Sequence, residues 1–269
     1  MSDALPSELA AGLDASASRR GSLGTPVYYF SETTSTNDVA ATLAERGAGE
    51  GTLVVASAQT AGRGRLGRQW HSPPDAGLYA SLIVRSANAA PFLTLAGGVA
   101  VAEGVRKATG LPVEIKWPND SVISDRTRPS RSRKLAGILA EASSGADGVQ
   151  YVVLGVGINV KATAYPPELA DKASSLETEL GRSVDAGAVL GETLAALEHA
   201  LTSLRAGDAR DVLGAWRRMA PSASGLQVEA DVHGARVAGV AEGIDDSGAL
   251  LVRVNGRLER VLSGEVVWK

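Results

Sequence analysis

Cysteine is absent from the 269 residues, which removes disulfides, thiol nucleophiles and cysteine-ligated zinc together. Histidine is scarce, and His71, His199 and His233 stand too far apart for metal-ligand spacing. The most apolar stretch, Pro91 to Ala102, is too short to span a bilayer and reads as a buried helix. No basic start followed by an apolar run opens the chain, so no signal peptide is expected and the cytoplasm is the expected compartment. The net charge is only −3. A global basic field is therefore missing, and any work on phosphates falls to local clusters of arginine. Neither a nucleic acid nor a membrane is an expected partner. Apolar content of 44% and charged content of 21% are ordinary for a globular protein of one large domain, or one medium and one small.

What the chain does have is Gln59-Thr-Ala-Gly-Arg-Gly-Arg-Leu-Gly-Arg-Gln-Trp70. Gly62, Gly64 and Gly67 alternate with Arg63, Arg65 and Arg68, and Trp70 closes the run. Glycine lets backbone approach a ligand, arginine offers planar cationic forks for carboxylate or phosphate, and tryptophan offers a face for a base. The run contains Gly-x-Gly-x-x-Gly, yet Gln69-Trp70-His71-Ser72-Pro73-Pro74 cannot open the helix that a dinucleotide fingerprint requires. A kinase loop fails as well, because no His-Arg-Asp or Asp-Phe-Gly follows. The remaining readings are a mobile anion-binding loop and a plain solvated turn.

Residues 1–25, rich in Ala, Ser and Gly, are expected to be a flexible tail, followed by a main domain over 26–220 and a small one over 221–269. Val27–Phe30 reads as a strand. Thr33-Thr-Ser-Thr-Asn-Asp38 then reads as a helix start, with Ser35 and Asp38 in capping-box positions and Gly47 as the stop. A helix N-terminus also presents free N–H groups to a ligand. Strands are expected at Leu53–Gln59 and Leu78–Val84, and a helix over 92–110. Val113–Trp117 is expected to be a strand halted by Pro118, which puts Lys116, Asn119 and Asp120 at a strand end. Ser124–Arg133 reads as a solvated basic connection carrying Arg126, Arg128, Arg131 and Arg133. Lys134–Glu141 and Val152–Val160 read as further strands, with Gly137, Gly155 and Gly157 permitting close approach and Asn159 at the end. Helical periodicity runs from Asp185 to Ala206 and from Asp208 to Met219. Short strands then end the chain, with Asn255-Gly256 as a hairpin turn, and suggest a small barrel.

In this order, Ser35-Thr36-Asn37, the arginine loop, Lys116-Trp-Pro-Asn-Asp120 and Lys134-Leu-Ala-Gly-Ile-Leu139 resemble the biotin protein ligases over residues 27–269. The resemblance implies an α+β fold: a mixed sheet flanked by helices, akin to class II aminoacyl-tRNA synthetases, with an SH3-like C-terminal barrel. It implies biotin and ATP as substrates, with Mg²⁺ carried on the phosphates and no protein metal ligands. The implied partner is the biotin carboxyl carrier domain of acyl-CoA carboxylases, and the protein is expected as monomer or homodimer. Some family members carry an N-terminal helix-turn-helix and repress transcription; no such segment is read here, so no repressor role is expected. The long Ser124–Arg133 connection departs from the family pattern.

Carried over by position, Ser35, Thr36, Asn37, Gln59, Gly62, Arg63, Gly64, Arg65, Lys134 and Gly137 would meet biotin. Arg65, Arg68, Trp70, Lys116, Asn119, Lys134 and Asn159 would meet ATP, with Trp70 against adenine. Lys134, Arg63, Arg65 and Asp120 would be catalytic, Asp120 as the acceptor of a proton from the carrier lysine. The implied first step joins the biotin carboxylate to the α-phosphorus of ATP. A carboxylate is already anionic, so this needs charge neutralisation rather than a protein nucleophile. Two alternatives stand beside this reading: a lipoate ligase with the same adenylate chemistry, and a non-catalytic nucleotide or nucleic-acid binder using the arginine clusters.

Overall fold

The computed structural model describes residues 2–125, 128–146, 148–162, 165–232 and 235–269. Arg126 and His233 lie outside the described residues. The chain begins with helix α1 (Ser7–Arg20), then runs through strand β1 (Val27–Thr33), helix α2 (Thr36–Glu45), strands β2 (Leu53–Gln59) and β3 (Gly77–Val84) and helix α3 (Leu93–Thr109). Strands β4 (Glu114–Lys116), β5 (Asp120–Asp125), β6 (Arg128–Gly145) and β7 (Gly148–Asn159) complete a seven-stranded sheet of order β1-β2-β3-β7-β6-β5-β4. β1 and β2 are parallel and every other neighbouring pair is antiparallel.

Alternation along the strands explains why the sheet is covered on both faces. In β2 and β7, Leu53, Val55, Val152 and Leu154 face one core together with α3, whereas Val54, Tyr151 and Val153 face a second core with Ala40 and Ala44 of α2. Behind α3 lie α5 (Ala186–Arg205) and α6 (Arg210–Met219), reached through the short α4 (Leu176–Leu180). Asp185 caps α5 by accepting the Ala188 N–H at 2.8 Å.

The first 25 residues are not a flexible tail. Helix α1 packs on α5 so tightly that a Cβ at Gly12 would lie 2.0 Å from the Gly187 carbonyl oxygen, and one at Gly191 would lie 2.4 Å from that of Gly12. Leu9, Leu13 and Leu23 are buried. The Asp3 N–H donates to the Tyr29 carbonyl at 2.7 Å, along the free edge of β1. A contact made through glycine backbone needs no broad apolar stripe, which is why the periodicity was weak.

Two further expectations change. Ser124–Arg133 is largely strand, since β5 extends to Asp125 and β6 starts at Arg128. The strand before Pro118 is reduced to Glu114–Lys116. After a 3-10 turn at Pro221–Ala223, strands β8 (Ser224–Val232), β9 (Ala235–Ile244), β10 (Leu250–Val254), β11 (Arg257–Val261) and β12 (Val266–Trp268) form an antiparallel, SH3-like unit of order β11-β10-β9-β8-β12. Asn255 and Gly256 both take positive φ, 49° and 81°, as a two-residue hairpin turn demands. This unit is tied to the main domain by the Trp117 indole N–H, just after β4, which donates to the Gly248 carbonyl at 3.1 Å, and by Arg217 of α6, which donates to the Ile244 carbonyl at 3.1 Å.

Candidate active site

A cavity of about 480 Å³ opens where β6 and β7, the start of α2, the arginine loop and the C-terminal unit meet. Ser35, Thr36, Asn37, Gln59, Arg63, Gly64, Arg65, Arg68, Trp70, Lys116, Asn119, Asp120, Lys134, Gly137 and Asn159 all line it. Gly62 does not. A Cβ there would lie 2.7 Å from both Ser72 Oγ and the Trp70 carbonyl oxygen, so Gly62 serves the crossing of the loop's two arms rather than the cavity wall.

The buried part of the cavity is a hydrogen-bonded polar set. Ser35 precedes α2 with extended backbone and makes no side-chain cap, and Asp38 pairs with Arg63, so the expected capping box is not formed. The Gln59 amide oxygen accepts from the Thr36 N–H at 2.9 Å and sits 3.1 Å from the Thr36 hydroxyl. Gln59 Nε2 donates to Ser72 Oγ at 2.9 Å, and Ser72 donates to the Trp70 carbonyl at 3.1 Å. Asn37 Nδ2 donates to Glu141 at 2.6 Å, while Asn37 Oδ1 accepts from Ser81 at 2.5 Å.

The loop itself is pinned at its base. Trp70 N–H donates to the Gly62 carbonyl at 2.9 Å, Gly64 N–H to the Arg68 carbonyl at 2.7 Å, and Arg63 bridges Gln69. Its tip is a single 3-10 turn, Arg65–Gly67, where Leu66 takes φ 57° and is 66% exposed. Arg63 lies between Asp38 and Glu141, with 2.7 Å to the latter. Burial works against its charge, but the two carboxylates outweigh it and hold its pKa above the usual guanidinium value. The Arg68 guanidinium reaches the C-terminal unit and pairs with Glu265 at 2.6 Å.

The cationic part is less satisfied. Arg65 donates to the neutral Asn119 amide oxygen at 3.3 Å, and burial pushes its pKa down, with Asp120 opposing. Lys134 Nζ is 2.6 Å from Asp120 Oδ1, a close ion contact without hydrogen-bond alignment. Burial also pushes Lys116 down, against Asp120 and with help from Lys134. Asn119 Nδ2 donates to the Ile138 carbonyl and Asn159 Nδ2 to that of Ser174, both at 3.0 Å. Trp70 lies on a glycine floor: a Cβ at Gly157 would stand 2.6 Å from its Nε1 and one at Gly137 would stand 2.9 Å from its Cζ3. Lys134 Nζ is 5.1 Å from the indole centroid, within cation–π range.

The reading from sequence missed Asp38 as a partner of Arg63, Ser81 and Glu141 beneath Asn37, and Tyr165, Lys172, Glu265 and Trp268 in the cavity wall. Glu141 alone carried a signal, as the charged residue ending an apolar strand.

Fold and cavity place the chain in the class of biotin and lipoate protein ligases. The model described as "Biotin/lipoate A/B protein ligase family" matches residues 29–159, and that described as "Biotin protein ligase C terminal domain" matches 224–268. The chain is 35% identical over 249 residues to the bifunctional ligase/repressor BirA of Bacillus subtilis, covering 91% of this chain and 74% of that protein. It is 36% identical to a biotin–[acetyl-CoA-carboxylase] ligase of Mycobacterium tuberculosis, covering 88% and 86%. The structure of the Aquifex aeolicus biotin protein ligase with biotin and ATP superposes with a TM-score of 0.75 at 28% identity, covering 90% of this chain and 98% of that one. The chain belongs to the biotin protein ligase family.

Proposed function

We propose that this protein is an ATP-dependent biotin protein ligase that makes biotinyl-5′-AMP and transfers biotin to a lysine of a carboxylase carrier domain. One observation carries the reading: three cations, Arg65, Lys116 and Lys134, converge around a single carboxylate, Asp120, in the same cavity as a buried amide and hydroxyl set. Polar groups in the buried part suit the ureido ring of biotin, and the cations suit its carboxylate and the α-phosphate. Trp70, backed by glycine and Lys134, would stack adenine.

In the first step a biotin carboxylate oxygen attacks the α-phosphorus, the bond to the bridging oxygen breaks, and pyrophosphate leaves. Lys134, Arg65 and Lys116 neutralise the oxygens on which charge gathers. A Mg²⁺ ion carried on the phosphates would add further neutralisation there. In the second step the amine of the carrier lysine attacks the acyl carbon and AMP leaves. Asp120 lies 2.6 Å from Lys134; it is released to take the amine's proton when Lys134 turns to phosphate.

The partner is the carrier domain of an acyl-CoA carboxylase and the compartment is the cytoplasm. Among the described residues no helix is long and apolar enough to cross a membrane. The test is mass spectrometry after incubation with biotin and MgATP. Biotinyl-AMP is the expected product; its absence, with lipoyl-AMP formed from lipoate instead, would move the chain to the other branch of its class.

A further inference from the structure

We propose that Ser81, Glu141 and Gly155 are positioning residues that hold the Asn37 amide in one orientation, and that this lock makes the site select a cyclic urea. The proposal rests on the biotin reading above and names how that ligand is recognised.

An asparagine amide has two N–H donors and two oxygen lone pairs, and a half-turn of its last torsion exchanges them. Three contacts decide the orientation here. Glu141 lies 2.6 Å from Nδ2, and an ionised carboxylate can only accept. Turning the amide over would set its oxygen against the carboxylate, two acceptors in contact. At the other end Ser81, fully buried in β3, lies 2.5 Å from Oδ1. Oδ1 cannot donate, so the single Ser81 hydrogen serves it, shared with the Thr36 hydroxyl 2.7 Å away. Gln59 keeps its 2.9 Å bond from the Thr36 N–H. Beneath the amide is Gly155, where a Cβ would stand 2.3 Å from Oδ1 and 3.1 Å from Nδ2. Any side chain at 155 would displace it.

With these uses filled, Asn37 retains one N–H and one oxygen lone pair on neighbouring ends of a planar group. That is the complement of one C=O and one N–H of a urea. Glu141 is tied in addition to Arg63 at 2.7 Å, so the same carboxylate that orients the amide also holds the first arm of the arginine loop. Asp38 touches Arg63 and has no contact with Asn37 among the bonds seen.

The lock makes a prediction that general destabilisation does not. Binding of biotin and of its neutral cyclic carbamate analogue, in which a urea N–H is replaced by an oxygen acceptor, is measured by calorimetry for the full chain and its variants. In wild type the fixed Asn37 favours the urea. Ser81→Ala removes the donor to Oδ1. Glu141→Gln keeps the shape, but its amide can donate or accept, so Asn37 is free to turn. Each should narrow the preference for biotin over the carbamate by about tenfold, the worth of one hydrogen bond at the upper end of its usual range. Asp38→Asn, which loosens Arg63 alone, should leave the ratio as in wild type. Ser81→Ala is buried and its folding is checked by thermal unfolding, while Glu141→Gln is partly exposed and tests the lock independently. Equal weakening of both ligands in the two variants, or a ratio moved as far by Asp38→Asn, would overturn the lock. A wild-type chain that binds neither ligand would overturn the ligase reading on which the lock depends.

Discussion

The two halves of the cavity are built on opposite terms. Around Asn37 and Gln59, donors and acceptors answer one another within the protein at 2.5–2.9 Å. Around Asp120, three cations share one carboxylate, and Arg65 settles for a neutral amide oxygen. A satisfied buried network is rigid and rejects what does not match it. A surplus of poorly answered charge stores a demand for anions, met when phosphate enters. The buried half is thus suited to selecting a substrate and the cationic half to stabilising charge that exists only during reaction. Breaking each half in turn should separate binding from chemistry.

The largest break is at Lys134. Lys134→Ala removes the cation that touches both Asp120 and the Trp70 face. A charged hydrogen bond expressed in the transition state is worth about 1.5–3 kcal/mol, so adenylate formation should fall by at least about tenfold and up to about a hundredfold. Single-turnover pyrophosphate release checks this. Near-normal release would remove Lys134 from the catalytic set.

Next comes Trp70. Trp70→Ala should weaken ATP by about 1–3 kcal/mol, the worth of base–aromatic stacking, and biotin far less. Gly157→Ala should reproduce the split, because its new Cβ would meet the indole at 2.6 Å. Equal loss for both ligands would make Trp70 a packing residue.

Arg65→Gly comes third. It removes the contact from the loop tip to Asn119 while leaving the pinned base of the loop intact. The adenylate should still form, about tenfold more slowly, the lower end of the worth of a single hydrogen bond to a charged group, and escape sooner to lysines of a bystander protein. Bystander labelling no greater than with wild type would show that the tip does not retain the intermediate.

These halves were unequally legible in the sequence. Lys116-Trp-Pro-Asn-Asp120 and Lys134-Leu-Ala-Gly137 announce themselves because charged side chains stand at strand ends beside residues that must be small. Ser81 does not, being one hydroxyl within an apolar strand whose partner, Asn37, lies 44 positions away. Glu141 looks like a strand end until β6 sets it against Asn37 at a separation of 104. Most elements followed from alternation and helical period, and their arrangement into one mixed sheet from the family resemblance; the Ser124–Arg133 strands and α1 did not, the contact of α1 being glycine backbone against glycine backbone. Arg68 reads as a nucleotide contact beside the other arginines of its loop; its pairing with Glu265, 197 positions on, is not legible there.

A pH series sharpens the account of the cationic half. Burial first, with Lys134 adding and Asp120 opposing, holds Lys116 below its ordinary 10.5. Between that lowered pKa and 10.5 the unfolded chain binds more protons than the folded one, so the cost of a charged buried Lys116 fades and stability should rise with pH. ATP affinity should move the other way, since phosphate wants the charged form. Its decline should begin at a lower pH than a solvated lysine would give. Lys116→Met should abolish that decline, and an unchanged slope would assign the titration elsewhere.

The smallest effect is expected at Arg68 and Glu265, whose side chains are 65% and 46% exposed. A pair this open is worth under about 1 kcal/mol to stability and is screened by salt. It nevertheless joins the second arm of the arginine loop to the C-terminal unit, 2.6 Å across the cavity mouth. If Arg68 served the nucleotide directly, Arg68→Ala would weaken ATP and Glu265→Ala would not. If the pair acts as a tether, both single variants should weaken ATP by the same modest factor, about two- to fivefold for a pair of this worth. The double variant should then be no worse than either, which is the non-additivity expected of two residues sharing one contact. The reversed pair, Arg68→Glu with Glu265→Arg, should recover part of the loss, and all of these differences should shrink in high salt. Additive losses in the double variant, unmoved by salt, would return Arg68 to the nucleotide and leave the C-terminal unit without a hold on the loop.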